Sequence, residues 1–382
     1  MKFSSRLSSQ TERNTLTLRL EEKRREGVSI FDLTESNPTH AGIVYPEGFL
    51  NALADPRGLH YEPEPFGLPA ARELIAREYG SPVVMTASTS EAYSWLFKLL
   101  CNPGDEVLIP RPSYPLFDYL AALESVTTRH YGLFYDHGVW CIDFHTIIRA
   151  VNDRTRAIIV VNPNNPTGHL IARNELQELR NICAGRGISV ISDEVFRDYL
   201  LAPRTEGILT LGDSDTALTF TLHGLSKAVG LPQMKLAWMV VSGEDKLVQE
   251  AMGRLELIAD TYLSAGTPVQ CALPALLALR EPIQNQILAR LRENLEHLRA
   301  AELRILEVEA GWYATVLHPH GDDFAEHLLR NHDVLLQPGY FYDFESSGHL
   351  VLSLLTKPDV FREGVTRLQH ALSETLPIAP GA

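Results

Sequence analysis

From about residue 82 the apolar positions change period repeatedly. Short β-branched runs alternate with longer stretches in which apolar residues recur every three or four positions, the pattern of β-α units around a mostly parallel sheet. Residues 82–87 (PVVMTA) predict a strand, and Glu91 to Leu100 an amphipathic helix with Ser90 as its cap. Asn102-Pro103-Gly104-Asp105 punctuates the chain before a strand over Glu106 to Ile109 and a helix after Pro115. A strand over Ala157 to Val161, a helix over Arg173 to Ala184 and a strand over Ile188 to Ile191 continue the series. Leu218 to Leu222 and Leu236 to Val241 are apolar runs short enough for strands buried on both faces.

Past residue 243 the period is helical for about sixty residues, over Glu244 to Ala259, Pro268 to Leu279 and Ile283 to Leu306, and the last of these is placed to bridge two bodies. Trp312 to Leu317, Asp322 to Asn331, Val334 to Gln337, His349 to Leu354 and Pro358 to Ser373 predict a smaller α/β unit. The expected fold class is therefore α/β, with a large domain over 38–280 and a small C-terminal domain over 281–382. Residues 1–37 are expected to form an arm and to pack onto the small domain.

Composition narrows the function. The 382 residues carry 34 basic and 48 acidic side chains, a net charge of −14, the wrong sign for a protein that neutralises phosphate backbones or anionic lipid. Cys101, Cys141, Cys183 and Cys271 include no CxxC pair, which fits a reducing compartment. The first residues lack a continuous apolar signal region, and no run reaches the roughly 18 apolar residues of a spanning helix. A cytoplasmic location with no nucleic-acid or membrane partner is the expectation.

Lysine is scarce, 7 against 27 arginines, and Lys227 sits in HGLSKAVGLPQ immediately after an apolar strand. A lysine at a strand end in a buried cleft loses charge by desolvation, becomes nucleophilic and can form an imine with an aldehyde. Read alone, a Ser-Lys pair is more often a solvated loop lysine. Its context is an ordered set of strand-end motifs: TASTSEA at 86–92, RPSY at 111–114, VNPNNPTG at 161–168, SDE at 192–194 and LSK at 225–227. Together they resemble the fold-type I pyridoxal-phosphate enzymes, specifically the class I/II aminotransferases. The resemblance runs from about Asp32 to about residue 240, and more loosely beyond.

That resemblance implies a large domain with a seven-stranded type of sheet flanked by helices and a bound pyridoxal 5'-phosphate. It implies that Lys227 is the imine-forming lysine and proton shuttle, that Asp193 pairs with the pyridine nitrogen, and that Asn165 donates to the phenolic oxygen. Tyr114 takes the place of the ring that stacks on the pyridine. Ser88, Thr89 and Ser90 take the phosphate at a helix N-terminus, aided by Lys235 where an arginine is usual. Tyr61 resembles a tyrosine reaching the phosphate from a partner subunit, so a homodimer is implied.

Three further positions depart from the family pattern. Phe196 stands where a tyrosine often donates to the phenolic oxygen, and Gly224 where a phosphate-binding Ser or Thr is common. Val351, in HLVLSLL, occupies the place of the arginine that grips the substrate carboxylate. Arg111, Arg197, Lys235 or the neutral Asn37 remain as carboxylate partners, and a substrate without a carboxylate there is the third reading. HPHGDD at 318–323 reads as a turn into a helix, and no metal is expected. Trp312, Tyr313, Tyr340, Phe341 and Tyr342 either line a pocket or pack a core. The reaction expected is amino transfer between an amino acid and a 2-oxo acid; a lyase or decarboxylase on the same cofactor, or a non-catalytic cofactor-binding protein, are the alternatives.

Overall fold

The computed structural model describes residues 3–6, 14–202, 207–213 and 216–374, so parts of the expected arm over 1–37 and the end of the expected 281–382 unit lie outside it. In chain order the strands are β1 (Phe31–Asp32), β2 (Val83–Thr86), β3 (Glu106–Arg111), β4 (Thr127–Asp136), β5 (Val139–Ile142), β6 (Thr155–Val161) and β7 (Ser189–Asp193). They continue as β8 (Thr219–Gly224), β9 (Ala237–Ser242), β10 (Arg304–Ile305), β11 (Tyr313–Leu317), β12 (Val334–Leu335), β13 (Gln337–Pro338) and β14 (His349–Ser353).

Eight of these form one sheet in the order β2-β9-β8-β7-β6-β3-β4-β5. Strands β4, β3, β6, β7 and β8 run parallel to one another, whereas β9 is antiparallel to both β8 and β2. Both faces are covered, and the side chains divide between them with the strand period of two. Ala157, Ile159 and Val161 of β6 join the core on one side with Val107 and Ile109, while Ile158 and Val160 join the other with Leu108.

The sheet has one strand more than the expected seven. Thr127–Asp136 and Val139–Ile142 pair antiparallel as an edge hairpin that the sequence reading missed. His137 and Gly138 join them with φ of 47° and 87°, the doubly left-handed turn that matches strand twist.

A second sheet, β10-β11-β14-β13, forms the core of the C-terminal part, with β11 and β14 antiparallel. The helix expected over Ile283 to Leu306 stops at Ala300, because Arg304–Ile305 instead pairs with β11 at the sheet edge. That helix, Arg280–Ala300, buries Ile283, Ile287, Leu291, Leu295 and Leu298, a stripe at three- and four-residue spacing, in the small sheet's core. The N-terminal segment meets the same body: β1 pairs parallel with β12, and Leu16 of the helix Thr15–Arg25 packs on Leu329 and Leu335.

Candidate active site

Parallel strands end on one edge of the large sheet, so the residues that follow them converge there. β2 leads to Ser88–Ser90, β3 to Tyr114, β6 to Asn165, β7 ends in Asp193, and β8 leads to Lys227. Because β9 runs the other way, Lys235 just before it lies at the same edge. All of these residues line a single cavity of about 350 Å3.

Lys227 lies in the one-turn helix Leu225–Ala228, whose entry is pinned by the Leu225 amide donating to the Leu236 carbonyl at 3.0 Å. Its own carbonyl accepts the Tyr199 hydroxyl at 2.5 Å. The amine lies 4.7 Å from the ring centroid of Trp312 and 5.5 Å from that of Phe196. Burial pushes the ammonium down to about 8, against the pull of the Asp193 carboxylate. Much more of the free amine is therefore present near neutrality than for a solvated lysine.

Along Ser192-Asp193-Glu194 the strand period sends alternate side chains to opposite sides. Asp193 faces the cavity, while Glu194 turns inward to accept the Ser192 hydroxyl at 2.8 Å and the Leu211 amide at 2.7 Å. Burial pushes Asp193 up to about 6, opposed by the Val195 amide at 3.3 Å, the Tyr93 hydroxyl at 3.1 Å and the Lys227 charge. Tyr93 was not foreseen. It lies three positions after Ser90 on the helix Thr89–Leu100, on the turn facing the strand ends, and that helical spacing was its signal.

Asn165 is buried, and its side-chain oxygen has no hydrogen-bond partner among the described residues. The turn carrying it closes through Gly168, at φ 72°, where a Cβ would lie 2.7 Å from the Ala310 carbonyl oxygen and from Val308. Ser88, not Ser90, caps the following helix, its hydroxyl accepting the Glu91 amide at 3.1 Å. The amides of Thr89 and Ser90 then fall in a first turn that has no intrahelical acceptors, an anion site by helix geometry. Gly224 has a packing reason: a Cβ there would approach the Cβ of Ala237 to 2.9 Å, so the usual Ser or Thr has no room. Ser226, Ser36 and Tyr313 line the cavity instead.

Other expected residues lie elsewhere. Asn37 is not in the cavity wall; its side-chain oxygen accepts the Thr39 amide at 3.1 Å and hydroxyl at 2.8 Å, an Asx turn. Tyr61 is 76% exposed and edges a separate cleft beside Ser264 and Gln270. Arg197 pairs with Glu78 and stacks on Tyr79, and Arg111 is also outside the cavity wall, which leaves Lys235 as the lining residue among the three cationic candidates for the carboxylate. Val351 is fully buried in β14, between Thr315 and Gln337. Of the aromatic cluster, Trp312 and Tyr313 face the site, Tyr340 is largely exposed, and Phe341 packs near Leu16. His318 and His320 stack with Phe324 at the start of the helix Phe324–His332.

The donor set suits a flat heteroaromatic ring with an aldehyde and an anionic arm. It offers a buried carboxylate, an unpartnered carboxamide oxygen on a group that also carries N–H donors, a buried amine, an aromatic face on Tyr114, and a helix N-terminus with a lysine beside it.

The family model for aminotransferase class I and II matches residues 29–368. Glutamate-pyruvate aminotransferase AlaA of Haemophilus influenzae is 28% identical over 94% of this chain and 93% of its own length. The Escherichia coli K12 protein of that name is 29% identical over 75% of this chain and 72% of its own. Among solved structures, an alanine aminotransferase from Pyrococcus furiosus superposes with a TM-score of 0.85 at 25% identity, covering 98% of this chain and 100% of its own.

Proposed function

This chain belongs to the class I and II aminotransferases and is a pyridoxal-phosphate-dependent transaminase, and from that premise we propose that Lys227 is its reactive amine, moving amino groups between an amino acid and a 2-oxo acid. When bound, the cofactor supplies an aldehyde to hold the amino group and a ring that withdraws electrons from the neighbouring carbon. One observation carries the assignment: an amine held near pKa 8 and a carboxylate held near 6 share one cavity at the sheet's carboxyl edge.

In this reading Asp193 holds the proton of the ring nitrogen, and the Tyr93 hydroxyl orients its carboxylate. Asn165 donates to the phenolic oxygen, and Tyr114 covers the ring face. Ser88, Thr89, Ser90 and Lys235 hold the phosphate, with Ser88 contributing through the helix it caps. Lys227, once freed, takes a proton at the substrate carbon and returns it on the cofactor side. The substrate carboxylate meets Ser36 and Tyr313 in place of an arginine at 351. The names of the relatives favour alanine, glutamate and pyruvate as the first substrates to test. Asn37 is left out of this reading, because it does not line the cavity and its side-chain oxygen accepts from Thr39. Tyr61, exposed and away from its own chain's cavity, is available to a partner's phosphate site, which supports a homodimer. The four free cysteines support a reducing, cytoplasmic setting.

Mixing holoenzyme with L-alanine or L-glutamate is expected to yield one equivalent of 2-oxo acid per site, without ammonia or carbon dioxide. Release of either gas identifies lyase or decarboxylase chemistry, and no reaction with any donor identifies a binding protein.

Phe196 lines the cavity without a hydroxyl, so one donor to the phenolic oxygen is missing. Phe196→Tyr is expected to lower the pH midpoint of the holoenzyme's absorbance change by about one unit, the free energy of one added hydrogen bond. A pH titration of the spectrum checks it, and an unchanged midpoint refutes the role given to position 196.

A further inference from the structure

The C-terminal body holds a second group of donor atoms. The helix Phe324–His332 carries His327 and ends on His332, with their ring centroids 5.5 Å apart. The last helix, Pro358–Ser373, ends beside them with Glu374 at its C-cap. Among the described residues, neither imidazole Nε2 is exposed to solvent or has a hydrogen-bond partner. Glu374 Oε2 lies 3.4 Å from His332 Nε2 and its Oε1 3.1 Å from His370 Nδ1, and one ligand atom from each of His327, His332 and Glu374 lies within 4.8 Å of the others. A buried ring nitrogen without a partner is destabilising, and a shared cation removes that cost.

We propose that His327 Nε2, His332 Nε2 and Glu374 Oε2 bind a zinc ion, with water as the fourth ligand on the side where Glu374 is open to solvent. Two imidazoles and a carboxylate suit a first-row transition ion better than calcium or magnesium. Asn331 Nδ2 lies 3.0 Å from His327 Nδ1 and donates to it, so zinc at Nε2 requires this carboxamide to turn over and present its oxygen to an Nδ1 proton. The helix ends at His332, so its terminal carbonyls favour a cation nearby. The nearby guanidinium groups are already paired, Arg367 with Glu363 and Asp333, and Arg330 with Glu326. Zinc here clips the end of the last helix to the helix Phe324–His332. The positions are 5 and 42 residues apart in sequence, so no compact motif signals them.

The test is a titration of untagged, metal-stripped holoenzyme with zinc against a chromophoric chelator. One saturable site per chain is expected, weakened at least tenfold in both His327→Gln and Glu374→Gln, with the cofactor spectrum unchanged. Glu374 sits at a solvent-exposed helix end, so its variant keeps the fold, and circular dichroism checks both proteins. The absence of saturable binding, or unchanged affinity in either folded variant, overturns the proposal.

Discussion

Lys227→Met is expected to lower turnover by about four orders of magnitude, the upper range for loss of a positioned acid-base group, and to abolish borohydride labelling of the peptide containing residue 227. The same variant should be more stable without cofactor. Burial moves the lysine from 10.5 to about 8, so near pH 7 the folded chain carries a charged amine that the unfolded chain solvates better. That costs about 3 kcal/mol, and methionine of similar length removes it. The sign follows from proton counting. Between 8 and 10.5 the unfolded state binds the extra proton, so wild-type stability rises with pH across that window and the advantage of the variant fades. Thermal melts of both cofactor-free proteins at pH 7 and above pH 10 check this; an advantage that grows with pH would contradict the buried-amine account.

Asp193→Asn is expected to lower turnover between about a hundredfold and several thousandfold, the effect of removing one partner from a buried ion pair worth about 3–5 kcal/mol. Its pH signature separates this role from a structural one. With a folded value of about 6, raised from 3.8, the carboxyl takes up its proton as pH falls through 6 and can no longer pair with a protonated ring. Affinity for pyridoxamine 5'-phosphate, which makes no bond to Lys227, should fall in wild type by about tenfold per pH unit below 6, relative to the Asn variant. Cofactor-free stability runs the opposite way. The folded state binds the proton first, so stability falls as pH rises from about 4 to 6. Binding curves at pH 5 and 7 for both proteins decide it, and parallel curves would remove Asp193 from the ring-nitrogen role.

The strand-end order that carries the site was legible because each motif sits where a short apolar run meets a turn, and strands buried on both faces are the clearest local signal. Asp193, Asn165 and Lys227 could be placed this way before any contact was known. Tyr93 was missed, since helical spacing from Ser90 gives its face but not its partner, Asp193, a hundred residues away. Asn37 is ambiguous for a related reason: a carboxamide beside proline serves a turn as readily as a ligand, and only the structure shows that its oxygen accepts from Thr39. The β4–β5 hairpin went unseen because its side chains are mostly part-exposed and alternate weakly.

By itself the sequence determined the β-α alternation, the family, the cofactor and the order of the reactive groups, since these rest on local periodicity and on residues adjacent in the chain. The tertiary structure alone decided which side chains meet. It closed position 224 to any side chain through the approach of β9, buried Val351 between Thr315 and Gln337, and drew the donors at 327, 332 and 374 together. Burial and distance between remote segments set those outcomes, and neither is a property of a local stretch of chain.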